Sequence, residues 1–449
     1  MFKKNFTWGA ATASYQIEGG WNADGKGLGI WDVFSHNPGN IIESHTGDIA
    51  SDHYHKFKDD VHIMKELGLT AYRFSISWPR ILPNGTGKIN ENGIKFYSEL
   101  IDELLKNNIE PYITLFHWDY PYELYKKGGW LNDKSVDWFS DYAELIAERF
   151  SDKVKYFMTF NEPQAIVGGG YADGYLAPGL KCCYSDLFQI CHNILKAHGA
   201  AVIKMRKSAK QKICIGYAPT GKIAYPATSN KADIEAAKHK TFACNPIENA
   251  TRGLSWWLDP VFLGRYPEDG LKMYEAFLPQ ITEDDMKLIS QPLDFHGQNI
   301  YDGIEVRADK NGEPEIVEQS IGHPKNAAQW PITPKVLYWG PKFLYERYKL
   351  PFYITENGMS AHDAISLDGK VHDPNRIDFM HRNLLELEKA AADGVDICGY
   401  FHWSLLDNLE WHKGYTERFG LVFVDYETQN RIIKDSGKWY KNWIHEHRF

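Results

Sequence analysis

Eight short apolar or β-branched runs punctuate the chain, each followed by a longer stretch of helical periodicity. They are FTWGAA (6–11), AYRFSI (71–76), PYITLFH (111–117), KYFMTFN (155–161), KICIGYA (212–218), DFHGQNI (294–300), PFYITE (351–356) and ICGYFHW (397–403). Between them Ile94, Tyr97, Ile101, Leu104 and Leu105 fall on one helical face. So do Phe139, Ala143, Ile146 and Phe150, and later Ile377, Met380, Leu384, Leu387 and Ala391. Strands buried on both faces and alternating with amphipathic helices imply a parallel sheet closed into a (β/α)8 TIM barrel. An open, doubly wound sheet is the structural alternative, but no G-x-G-x-x-G follows the first strand and no G-x-x-x-x-G-K-[ST] occurs.

The 449 residues would also suffice for several smaller domains. No linker, charge block or repeat divides them, so one catalytic domain over 1–449 is expected. The stretch 219–293 is too long for a single crossover and should carry extra helices or loops over the C-terminal mouth of the barrel.

Fifty Lys and Arg against 59 Asp and Glu leave a net charge of −9, which argues against nucleic acid as a partner. Polar residues interrupt the N-terminal MFKKNFTWGAATASYQIEGG too often for a signal peptide or membrane span, so a cytoplasmic enzyme with no membrane association is expected. The sequence leaves the oligomeric state open. The six cysteines contain no CxxC pair and read as reduced thiols, and Cys182, Cys183 and Cys191 lack zinc-ligand spacing. The pairs His53/His55 and His445/His447 read as surface histidines.

In such a barrel the active site is built at the C-terminal ends of the strands. Here those ends carry Arg73, His117-Trp118-Asp119, Asn161-Glu162, Asn299 with Tyr301, Glu356-Asn357, and Trp403. Core packing alone does not place polar and indole groups at one end of so many strands. Each glutamate taken alone would read as a helix cap or an ion-pair partner. Together, Glu162 on strand four and Glu356 on strand seven point into one bowl, and paired carboxylates are what glycosidic cleavage requires. Pro163 biases Glu162 toward an extended conformation. Trp118, Trp403 and Trp411 offer flat faces to a pyranose, and Gln16, His117, Asn161 and Glu410 can hydrogen-bond its hydroxyls. A non-catalytic carbohydrate-binding barrel is a rival reading that would not need both carboxylates. A Schiff-base or metal-dependent barrel enzyme is another, but no strand end read here carries Lys and no ligand triad gathers there.

The segments WGAATASYQIEGG (8–20), RFSISWPRI (73–81), FHWD (116–119), TFNEP (159–163), YITENG (353–358), DNLEW (407–411) and RFGL (418–421) resemble the β-glucosidase family of retaining glycoside hydrolases nearly end to end. The resemblance implies a retaining exo-β-glycosidase acting on a small saccharide through a covalent glycosyl-enzyme intermediate. Accompanying β-galactosidase and β-fucosidase activity is implied, with no metal and no organic cofactor. It implies Glu162 as acid/base and Glu356 as nucleophile, with Arg73 and Tyr301 flanking Glu356. Asn161 would hold the sugar 2-hydroxyl, while Gln16, His117, Trp118 and Glu410, with Asn299, Trp330, Trp403, Trp411 and Phe419, would also form the substrate site. It further implies a cis peptide between Trp403 and Ser404. The chain departs from the family pattern at Gln164, where Trp is usual, and at Tyr120, Leu176 and Ile300, which bears on the leaving-group side. A 6-phospho-β-glycosidase is the alternative within the family, though Glu410 would repel a phosphate.

Overall fold

The computed structural model describes residues 2–447. All eight predicted runs form strands: β1 (Thr7–Ala11), β2 (Ala71–Ser75), β3 (Glu110–Phe116), β4 (Tyr156–Asn161), β5 (Cys214–Ala218), β6 (Phe295–Asn299), β7 (Phe352–Asn357) and β8 (Ile397–Trp403). Each pairs in parallel with its neighbours, and β1 pairs with both β2 and β8, so the ring closes. The predicted (β/α)8 barrel is the fold of this chain.

Alternation along the strands explains both the core and the mouth. In β2, Tyr72 and Phe74 point outward into the large core, which also takes Tyr97 and Ile101 from the helix Glu91–Lys106. Phe139, Ala143, Ile146 and Phe150 bury the same face of the helix Ser135–Phe150, as their spacing predicts. The inward residues Ala71, Tyr112, Met158, Phe295, Tyr353 and Phe401 form a second cluster that plugs the barrel. Small residues make room for the rings of that plug. A Cβ on Gly9 would lie 2.4 Å from the Phe401 ring, and one on Gly216 2.2 Å from Phe295. The plug leaves only the C-terminal ends of the strands free for polar groups.

Two irregularities aim the glutamates. The register of β4 against β5 shifts between Met158 and Asn161. That of β7 shifts between Ile354 and Glu356 against β6, and between Ile354 and Asn357 against β8. A bulge redirects the side chain that follows it, and here one precedes each carboxylate.

The excursion at 219–293 carries the expected helices, Lys231–Phe242, Leu254–Leu263, Glu268–Tyr274 and Glu283–Ile289. It also carries a strand, Ile223–Pro226, which pairs with Gly303–Ala308, and that strand pairs with Pro314–Ile316. This small sheet is not anticipated by the sequence reading. His53 corrects another expectation: it is buried, with Nδ1 2.8 Å from Asp60 Oδ2, whereas His55 and His445 are exposed. All six cysteines are free thiols. Among the described residues no helix is long and apolar enough to cross a membrane.

Candidate active site

Glu356, at the end of β7, accepts a hydrogen bond of 2.6 Å from Arg73 Nη1 and one of 2.7 Å from the Tyr301 hydroxyl. Arg73 is itself fixed. Its Nε donates to Thr114 Oγ1 at 3.1 Å and its Nη2 to Asn161 Oδ1 at 2.7 Å. Burial raises the Glu356 carboxyl, and Arg73, Tyr301 and Asn299 oppose that rise by favouring the anion.

Glu162 sits one residue beyond β4, and its backbone is left-handed, with φ 44° and ψ 61°, not extended. The expectation drawn from Pro163 therefore fails, for a physical reason. Glu162 joins a strand directly to the short helix Pro163–Ala165, and its carbonyl already accepts from Ala165 N at 2.9 Å and Ile166 N at 3.2 Å. Its own N–H donates to Ala218 O at 2.9 Å, tying the turn to β5. Trp118 (φ 81°) and Trp411 (φ 49°) share this uncommon region, so three residues of the bowl hold left-handed backbones.

The Glu162 side chain accepts from Asn299 Nδ2 at 2.8 Å but has no cation in contact. Part of it faces the cavity, yet the depth of the site strips most of its water. That desolvation, reinforced by the charge on Glu356 and opposed by Asn299, pushes it up to about 8. Two identical side chains thus meet different electrostatics in one bowl.

Asn161 sets the hydrogen-bond polarity around them. Its Oδ1 takes donors from Arg73 and, at 3.0 Å, from Asn299. Its Nδ2 therefore donates to His117 Nε2, 3.0 Å away, which places the His117 proton on Nδ1. Burial, with the Arg73 charge adding to it, holds His117 well below the usual histidine range, so the ring is neutral. Its Nδ1 has no partner, and neither has Gln16 Oε1. Gln16 is held by Nε2, which donates to Leu409 O at 2.9 Å and reaches Glu410 Oε2 at 3.5 Å. Burial, then the charges of Glu356, Glu417 and Glu162, push Glu410 up to about 8.

These groups surround a cavity of about 460 Å³. Eleven of the anticipated residues line it: His117, Trp118, Asn161, Glu162, Tyr301, Trp330, Glu356, Trp403, Glu410, Trp411 and Phe419. Arg73 and Asn299 hold that wall from behind, and Gln16 hydrogen-bonds Glu410 on the wall while its Oε1 stays unpartnered. Asp119 turns away, accepting from Ser14 Oγ at 2.9 Å. The Trp118 ring stacks on Trp411 at 4.3 Å and its Nε1 donates to Asn161 O at 3.0 Å, so one indole supports the other. The Trp403–Ser404 peptide is cis. A second cavity of about 380 Å³ adjoins the first and shares Glu162, Ala165, Tyr175, Tyr301 and Trp330 with it. Sequence reasoning missed Tyr175, His412, Lys413 and Glu417 on the walls. The signal for the last three was their position in the loop between DNLEW and RFGL.

A closed parallel barrel whose strand ends hold two glutamates, one against an arginine and the other not, defines a glycoside hydrolase. The chain belongs to glycosyl hydrolase family 1, whose profile matches residues 1–449. It is 46% identical over 447 residues to a 1,4-beta-D-glucan glucohydrolase of Thermotoga neapolitana, covering 99% of this chain and 98% of that protein. It is 45% identical over 445 residues to beta-glucosidase A of Thermotoga maritima, covering 98% and 97%. The solved structure of the beta-glucosidase from Thermotoga maritima in complex with glucoimidazole superposes with a TM-score of 0.90 at 44% identity, covering 99% of this chain and 98% of that one.

Proposed function

We propose that the whole chain is one catalytic domain working as a retaining exo-β-glycosidase, with Glu356 as nucleophile and Glu162 as acid/base. The observation that carries the reading is the asymmetric pair. Glu356 is held by a cation and a phenol, while Glu162 is raised to about 8 and so enters the reaction protonated. Glu356 attacks the anomeric carbon as Glu162 passes its proton to the departing oxygen. The glycosyl-enzyme is then cleaved by a water that the Glu162 carboxylate deprotonates. On the sugar, the unpartnered His117 Nδ1–H donates to a hydroxyl and the unpartnered Gln16 Oε1 accepts from one. Asn161 and Glu410 hold further hydroxyls, and Trp403 lies beneath the ring. The leaving group departs through the second cavity, past Trp330.

The names of the relatives point to β-glucosides, and to glucosyl units released from β-1,4-glucans, as the substrate class. Side activity on β-galactosides and β-fucosides is part of the proposal. Two carboxylates supply both proton and nucleophile, so EDTA should leave the rate unchanged. Glu417 in the same cavity weighs against the 6-phospho-β-glycosidase reading, because a carboxylate there would repel a phosphate, and Glu410 offers that phosphate no cation. The test is stereochemical. Hydrolysis of an aryl β-glucoside followed by NMR should release the β-anomer first, and the α-anomer appearing first would overturn the role of Glu356.

A further inference from the structure

Three residues outside the bowl are joined to one another, and each stands two places along the chain from a group that works inside it. Ser14 precedes Gln16, Ser75 follows Arg73, and Asp119 follows His117. The Ser14 hydroxyl donates to Asp119 Oδ2 at 2.9 Å, and the Ser75 hydroxyl donates to Ser14 Oγ at 3.1 Å. Ser75 Oγ in turn accepts from Ser14 N at 2.7 Å. All three residues are buried, and Ser14 and Asp119 line a separate enclosure of about 10 Å³.

The backbone explains how Asp119 comes to be there. β3 ends at Phe116, and the left-handed Trp118 breaks the alternation that would carry residues 117 and 119 to one side. His117 therefore enters the bowl and Asp119 leaves it. Ser14 opens the short helix Ser14–Ile17, which carries Gln16. In the ring β2 lies between β1 and β3, so the bond from Ser14 to Asp119 links two strands that share no ladder. Burial, with the charge of Glu18 adding to it, pushes Asp119 up to about 7, against hydroxyl hydrogen bonds from Ser14 and Ser77. A buried carboxylate is a costly way to fill space that an apolar side chain could fill, so its bonds are the reason to look for a role.

We propose that Asp119 is a positioning residue: acting through Ser14 and Ser75, it sets Gln16, Arg73 and His117 in register, so that the hydroxyls of the sugar are held together while the nucleophile attacks. The inference rests on the glycone occupying the bowl, as in the function proposed above. Asp119 touches no substrate. It fixes the direction of the Ser14 hydroxyl by accepting from it, and a side-chain amide oxygen can accept the same bond.

An aryl β-glucoside and its 2-, 3-, 4- and 6-deoxy analogues should be compared in the natural enzyme, Asp119→Asn, Asp119→Ala and Ser14→Ala, with melting temperatures measured alongside. In Asp119→Ala, kcat/KM on the glucoside should fall about tenfold or more, the size expected for one hydrogen bond to a charged group. The penalty for the most damaging deoxygenation should shrink by a similar factor, because misplaced partners no longer distinguish a hydroxyl from a hydrogen. Asp119→Asn should restore both values. Ser14→Ala removes a single oxygen and should reproduce both changes even where Asp119→Ala does not fold. Deoxy penalties unmoved in the Ala variants would reduce Asp119 to a residue of the fold and overturn the proposal, as would a folded Asn variant no better than Ala. A natural enzyme inactive on the plain glucoside would instead sink the underlying assignment of the bowl.

Discussion

Arg73 and Glu356 form a buried ion pair at 2.6 Å, and the other arm of the same guanidinium donates to Asn161. One cation therefore fixes both the anionic carboxylate and the amide that orients His117. Because both partners are buried, the pair matters more than a surface bridge would, and leaving Glu356 alone would strand a charge.

Arg73→Ala should lower kcat/KM by about a hundredfold or more, since it removes a preorganised cation from the nucleophile, and should separately destabilise the fold by about 3–5 kcal/mol. Arg73 favours ionised Glu356, so its loss raises that carboxyl and moves the acidic limb of the pH profile upward. Arg73→Lys keeps the charge without the fork and should fall between. The pH dependence of kcat/KM for the three proteins checks this. An acidic limb that stays in place would mean Arg73 does not control Glu356.

Glu162 is raised from 4.5 to about 8, so activity that needs its proton should fall as pH rises through about 8. Asn299 favours the Glu162 anion, and Asn299→Ala should shift that alkaline limb to higher pH. The same shift bears on stability. The folded state binds this proton more tightly than the unfolded chain, so the contribution is complete below 4.5 and is lost as pH rises through 8. Glu162→Gln should flatten part of the decline in melting temperature across that window, and an unchanged decline would contradict the shift.

The two glutamates should fail differently. Glu356→Gly should stop hydrolysis of every substrate, whereas Glu162→Ala should spare aryl glycosides whose leaving groups depart without a proton. Azide should restore each variant, giving the α-azide with Glu356→Gly and the β-azide with Glu162→Ala. Equal losses on good and poor leaving groups in Glu162→Ala would remove its role as acid.

Gln164 is 3% exposed, lines the second cavity, accepts from Thr220 N at 3.3 Å and leaves its Nε2 without a partner. That donor suits a hydroxylated leaving group, so cellobiose should be hydrolysed at least as efficiently as an aryl glucoside. Gln164→Trp should shift kcat/KM toward the aryl substrate several-fold, since an aromatic contact contributes about 1 kcal/mol. No shift in the cellobiose-to-aryl ratio would show that Gln164 does not shape this side.

Much of the barrel was legible because its strands are buried on both faces and therefore read as continuous apolar runs, as PYITLF and FYIT do. The helices were legible because Ile94 to Leu104 and Phe139 to Phe150 repeat at helical spacing. Fold and strand order in turn located the candidate site, since any polar residue ending such a run must lie at the mouth. The small sheet was not legible, because Ile223–Pro226 is four residues long and its partner lies far along the chain. His53 read as a surface residue because local pattern cannot reveal that the helix face it shares with Asp60, two turns on, is closed over by Arg431 from far along the chain.

The sequence by itself determined which residues could meet at the mouth, because strand order and burial are written in local periodicity. Only the tertiary structure decided how they meet. The left-handed turn at Glu162, the bulges before both carboxylates, the proton on His117 Nδ1 and the inward turn of Glu417 each depend on partners distant in the chain. Their geometry and electrostatics come from packing and desolvation, which exist only once the ring has closed.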